Sequence, residues 1–170
     1  MKPLIFDATP LIYLTRVGLI RLIEALPARK FVARSVFEEV VERGKAKGLA
    51  DALAVGRLFD AKTISIVEPK DNGLLRTLTH ISGLEEADAE TLTVAKQQGY
   101  RAVLDDRLAR NVAKTYGIDF VGTPYVLLIS IHKGLLGKDD ATKAIDDMIE
   151  AGWRCGPELY REIIKIFQGS

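Results

Sequence analysis

Acidic side chains are the residues of this chain whose type and spacing could do chemistry. Asp7 closes the apolar run Pro3-Leu4-Ile5-Phe6, and Asp105-Asp106 closes another, Arg101-Ala102-Val103-Leu104. Between them, Glu38, Glu39 and Glu42 share one helical stretch, and Glu85, Glu86, Asp88 and Glu90 crowd the start of a second. Carboxylates that converge repel one another, and burial penalises their charge. Hard divalent cations such as magnesium and manganese relieve both costs, because they favour oxygen ligands and retain water. Two such ions beside a phosphodiester activate water and stabilise the leaving oxygen. Metal-assisted phosphodiester hydrolysis is therefore the chemistry that such an acidic group suits.

Each acid also has a plainer reading. A lone Asp at a strand end commonly caps the next helix. Acids in a first helical turn complement the helix dipole, and the residues alone favour that reading for the cluster at 85–90. Two acidic strand ends far apart in the sequence are harder to ascribe to capping. Glu38 and Glu42 read as solvated, whereas Glu39, between Phe37 and Val40, is placed to turn toward the sheet edge.

Other chemistries lack their residues. Only His80 and His132 are present, with no HExxH or Cys-His cluster, so a zinc site has no support and both read as ordinary side chains. No P-loop, dinucleotide-binding glycine motif or nucleophile elbow occurs. Asp7 at a strand end suits a haloacid-dehalogenase-type phosphatase, but that needs a second Asp where Thr9 stands. The formal net charge of +1 gives no global pull toward nucleic acid, so such a partner needs a local patch or bound metal. Cys155 is the one cysteine, which excludes an intrachain disulfide and reads as a small, partly buried apolar residue. No run resembles a signal peptide or a membrane span, so a cytoplasmic protein without membrane contact is expected.

The elements that must position these acids follow from hydrophobic period. Short apolar runs predict strands near 3–7, 30–33, 63–67, 101–105 and 118–121, and helices fill the intervals. Thr9-Pro10 and Thr123-Pro124 read as N-caps followed by proline, and Ser35 as the cap of the stretch at 34–46. Helices are expected at 49–60 and 86–98, after Asp106, and twice more around Trp153. Strands alternating with helices imply an α/β fold: a three-layer α/β/α sandwich around a central, mainly parallel sheet of about five strands. Its ligands should gather beyond the carboxyl ends of the strands, where strand order reverses.

The ordered motifs resemble those of the PIN-domain family. Phe6-Asp7-Ala8-Thr9-Pro10-Leu11 resembles the family's opening, Ser35-Val36-Phe37-Glu38-Glu39-Val40 its second acidic motif, the stretch from Leu84 to Ala95 its third, and Val103-Leu104-Asp105-Asp106-Arg107 its fourth. Val121-Gly122-Thr123 resembles a segment that follows it. The likeness spans residues 3 to about 130, and the tail after about 138 resembles a prokaryotic PIN-like branch close to VapC-type toxins. The expected layout is one PIN-like domain over 1–170, with its core at about 3–130 and C-terminal helices at about 139–168.

The resemblance implies cleavage of single-stranded RNA with magnesium or manganese. Asp7, Glu39, Asp88 and Asp106 would be the catalytic acids, and Asp7, Asp88, Asp106 and Asp105 the metal ligands. Thr9 would orient a carboxylate or bind phosphate, and Arg107 and Arg110 would contact the nucleic-acid backbone, with solvated helix charges as their alternative. Glu86 or Glu90 could replace or assist Asp88, and Asp105 could be a ligand, a supporting group or a cap. The resemblance also implies a possible antitoxin protein as partner. An inactive PIN-like module that binds nucleic acid or protein is the alternative function. The apolar Leu127-Leu128-Ile129 run and the helices around Leu19 and Ile23 suggest a homodimer, because they exceed what one sheet face readily covers.

Overall fold

A computed structural model describes residues 1–169. Five strands form one sheet in the order β3-β2-β1-β4-β5, and every pairing is parallel. They are β1 (Leu4–Phe6), β2 (Lys30–Ala33), β3 (Ile64–Val67), β4 (Arg101–Val103) and β5 (Phe120–Val121). All five lie within the runs expected from the sequence. Alternation along β1 serves two faces: Leu4 and Phe6 join one core, and Ile5 joins the other. All three side chains are fully buried, as a central strand covered on both faces requires.

The first core is covered by α1 (Ala8–Arg16), α2 (Arg21–Ala25), α5 (Ala50–Asp60) and the helices of the C-terminal half, α9 (Thr123–His132), α10 (Lys138–Glu150) and α11 (Pro157–Gly169). The second is covered by α6 (Gly73–Thr79), α7 (Glu86–Gln98) and α8 (Arg107–Thr115). The molecule is thus the expected α/β sandwich. No described helix is long and apolar enough to cross a membrane.

The stretch at 34–46 departs from a plain helix. It runs as α3 (Arg34–Phe37), a π-helical segment (Glu38–Arg43) and α4 (Gly44–Ala46). The wide turn still buries Val36, Val40 and Val41, and it leaves Glu39 half-buried. Single π turns inside helices occur often at functional sites.

Three expected caps are corrected. Asp7, not Thr9, precedes the first residue of α1, and Gly122, not Thr123, precedes α9, so Thr9 and Thr123 lie inside their helices. Ala33 precedes α3, and Ser35 is helical. The Ser35 backbone N–H donates to Glu90 Oε2 at 2.8 Å, and its hydroxyl donates to the same oxygen. A carboxylate from α7 thus does for the start of α3 what a local cap would have done.

Of the residues that suggested a homodimer, Ile23, Leu127 and Ile129 are buried within the chain, whereas Leu19 and Leu128 are half-buried. α9 packs against α2, α10 and α11, so the C-terminal helices cover the apolar run.

Candidate active site

The sheet has its switch point at β1. From β1 the chain builds outward through β2 to β3, then returns to add β4 and β5 on the other side. Asp7 follows β1, and Asp105-Asp106 follows β4, its neighbour across the switch. The expectation that strand-end acids meet where strand order reverses is realised.

A cavity of about 160 Å³ opens at that point. Asp7, Glu39, Glu85, Asp88 and Asp106 contribute carboxylates to its lining, Thr9 contributes a hydroxyl, and no Lys, Arg or His lines it. All four sequence-expected catalytic acids therefore reach one cavity. Glu85, just before α7, is an addition.

Electrostatics follow from burial without compensating charge. Asp7 is 5% exposed, and its pKa is pushed up to about 8. Desolvation is the main cause, and Asp88, Glu39 and Asp105 add repulsion that one backbone hydrogen bond from Ala8 opposes. Asp88 is raised to about 6, first by desolvation and then by Asp106, with smaller contributions from Glu85 and Glu39. Glu39 is raised by desolvation and by Glu85, against a lowering contribution from Arg43. Repulsion was expected to drive such shifts, but burial contributes more.

Asp106 is both cap and cavity wall. Its Oδ1 accepts from the Ala109 backbone N–H at 2.8 Å, which starts α8, and its side chain faces the acid cavity. Asp105 has a different task. Its Oδ1 accepts from the Thr123 N–H at 2.8 Å, and its Oδ2 accepts from Thr123 Oγ1 at 2.6 Å and Trp153 Nε1 at 3.0 Å. A Cβ at Gly122 would stand 3.1 Å from Asp105 Oδ1, so a side chain there would push this carboxylate by a few tenths of an ångström. Asp105 is absent from the acid cavity, with its carboxylate turned to the start of α9.

The other candidate acids separate clearly. Glu90 is buried against Ser35 and lies outside the cavity, whereas Glu86 is exposed and lines neither opening. Glu42 is exposed, as expected, but Glu38 is half-buried. His80 and His132 are exposed and away from the cavity.

A second opening of about 1120 Å³ adjoins the first, and Thr9 and Asp106 line both. Arg107, Arg110 and Lys114 from α8 line it, together with Arg154 from the loop between α10 and α11. Arg110 also lies 5.4 Å over the Phe120 ring. Among the described residues Thr9 makes no side-chain hydrogen bond to a carboxylate, and it stands where the two openings meet. Lys114 continues the spacing of Arg107 and Arg110 and was legible from that period. Arg154 and Glu85 depend on tertiary placement that no local signal carries.

The donor set fits a hard divalent cation in its chemistry: five carboxylates, no cationic side chain, and raised pKa values that added positive charge would lower. As the side chains stand, no three acids among the described residues are arranged to hold one ion.

A family model described as a PIN domain (DUF3368) matches residues 3–168. PIN domains are generally nucleases that use divalent metal ions. A solved PilT N-terminus domain protein from the hyperthermophilic archaeon Sulfolobus solfataricus P2 is 11% identical, with a TM-score of 0.49 over 75% of this chain and 92% of that one. No curated protein matches the sequence. With the family match running from the first strand to the last helix, this chain belongs to the PIN-domain family.

Proposed function

We propose that the protein is a metal-dependent endoribonuclease that hydrolyses phosphodiester bonds of single-stranded RNA with magnesium or manganese. One observation carries this reading: a cavity of carboxylates without a counter-cation opens directly into a groove lined by four basic side chains. Asp7, Asp88 and Asp106 would hold the cation, with Glu39 and Glu85 at the rim. A divalent cation bound there lowers the pKa of water and neutralises charge on the phosphoryl oxygens. Burial raises the Asp7 pKa to about 8, and a cation held beside it would lower that value, the proton passing to solvent. Asp106 keeps its carboxylate fixed through its bond to Ala109. Thr9, where the openings meet, would hold the scissile phosphate, and Arg107 and Arg110 in the groove the neighbouring backbone. Asp105 supports the groove wall from outside the acid cavity.

A second reading has its own observation. The acids line one cavity but are not posed around a single point, which suits an inactive module that binds RNA or protein through the same groove. Calorimetric titration with manganese, paired with cleavage of a labelled single-stranded RNA, separates the two. The nuclease reading expects saturable binding and manganese-dependent products. Absence of both would overturn it in favour of the inactive module.

A further inference from the structure

The groove beside the acid cavity is basic for a specific reason. Arg107, Arg110 and Lys114 stand at i, i+3 and i+7 on α8, so they share one helix face. Ala109, Val112 and Ala113 bury the opposite side. Among the described residues, Arg107, Lys114 and Arg154 make no ion pair, although six such pairs occur elsewhere. With a net charge of only +1, exposed cations left without carboxylate partners in one groove are a local excess.

Arg154 comes from a loop that is held, not loose. Gly152 adopts φ +102°, a conformation that favours glycine. Trp153 is 5% exposed and donates to Asp105. Between that anchor and half-buried Cys155, Arg154 is exposed and lines the groove. The loop therefore fixes the position of a cation that arrives from the C-terminal end of the chain.

We propose that the loop at 152–156 is a second nucleic-acid subsite, in which Arg154 binds a backbone phosphate of single-stranded RNA beyond the nucleotide held at the acid cavity. Arg107 and Lys114 supply the other wall of this track. The identity of the ligand rests on the nuclease reading, but the subsite can be tested without cleavage. Phosphate contacts release condensed counterions, so each one leaves a mark on the salt dependence of binding.

The test is fluorescence anisotropy of a labelled 12-nucleotide single-stranded RNA in EDTA, at several salt concentrations, with wild type and Arg154→Ala. Arg154→Ala should weaken binding about fivefold to tenfold and reduce the slope of log K against log salt by about 0.7, the value of one single-strand phosphate contact. Arg154→Lys should restore the slope. Wild-type affinity and slope in Arg154→Ala, or no binding by the wild type, would overturn the subsite. Manganese-dependent cleavage measured in parallel reports on the nuclease reading by itself. Cleavage with an unchanged Arg154→Ala slope sinks only the subsite; a changed slope without cleavage sinks only the nuclease.

Discussion

Trp153 Nε1 donates to Asp105 Oδ2 at 3.0 Å, joining the loop before the last helix to the end of β4. The same oxygen accepts from Thr123 Oγ1, so one half-buried carboxylate ties together β4, the start of α9 and the C-terminal tail. Trp153→Phe keeps most of the ring in the core and removes this bond. Stability in urea should fall by about 1.5–3 kcal/mol, the range for a hydrogen bond to a charged group. RNA affinity should fall with it while the salt slope stays, because no cation is lost. An unchanged unfolding midpoint would mean that the bond contributes nothing.

Asp106→Asn separates two roles of one side chain. Asn is itself a good N-cap, so α8 should keep its start, and the unfolding midpoint should move by less than about 1 kcal/mol. Loss of the negative charge should weaken manganese binding and lower RNA cleavage by about two orders of magnitude or more. Calorimetry and a cleavage time course check both. Full activity in the variant would remove Asp106 from the metal site.

Asp7 makes stability depend on pH. An acid whose folded pKa lies above its unfolded one binds its proton more tightly when folded. Between the ordinary value of 3.8 and about 8, the folded chain therefore holds more proton than the unfolded chain. Stability of the metal-free protein is then full below that window and falls as pH rises through it, by an amount on the order of a few kcal/mol. Asp88, raised to about 6, adds to the lower part of the fall. Asp7→Asn should flatten the profile, and manganese at pH 8 should restore the wild type. Thermal melts across pH 5–8 in EDTA would count against this account if wild type and Asp7→Asn gave parallel profiles.

Glu90→Gln tests an acid that looks like part of the site in sequence and stands outside it in space. Glu90 Oε2 receives two hydrogen bonds from Ser35 at the start of α3. The amide loses the charge at that helix start, so stability should fall by about 1–2 kcal/mol. Manganese affinity should not change. Loss of metal binding without loss of stability would place Glu90 in the metal site after all.

Five strands and their parallel pairing were legible because each is a short apolar run between helical stretches. Asp7 and Asp106 were legible because they terminate such runs. Glu39 could be singled out between Phe37 and Val40, but the π-helical turn that carries it leaves no mark in hydrophobic period. The crowded acids at 85–90 could not be sorted from sequence. Asp88 and Glu85 face the cavity and Glu90 faces Ser35, and only the packing of α7 against α3 decides this. The caps at Thr9, Ser35 and Thr123 were misread because their hydroxyls suit capping, while the chain entered each helix earlier than the hydroxyl. The short helix Gly73–Thr79 starts after Asn72, with Asp71 Oδ1 accepting from the Gly73 N–H, and its place in the second core comes from Leu78.

The placement of Arg154 and Trp153 also has a consequence for the order in which the protein is made. Every acid of the cavity lies at or before residue 106, and the last strand ends at Val121. The basic groove closes only with residues 152–159, and the cover that α2 begins over α9 is completed only by α10 and α11. Chains emerge from the ribosome N-terminal end first. During synthesis, the acids therefore emerge well before the wall that completes the groove, and a chain interrupted between α9 and α10 would carry the full set of carboxylates with a half-covered apolar helix in place of a finished groove.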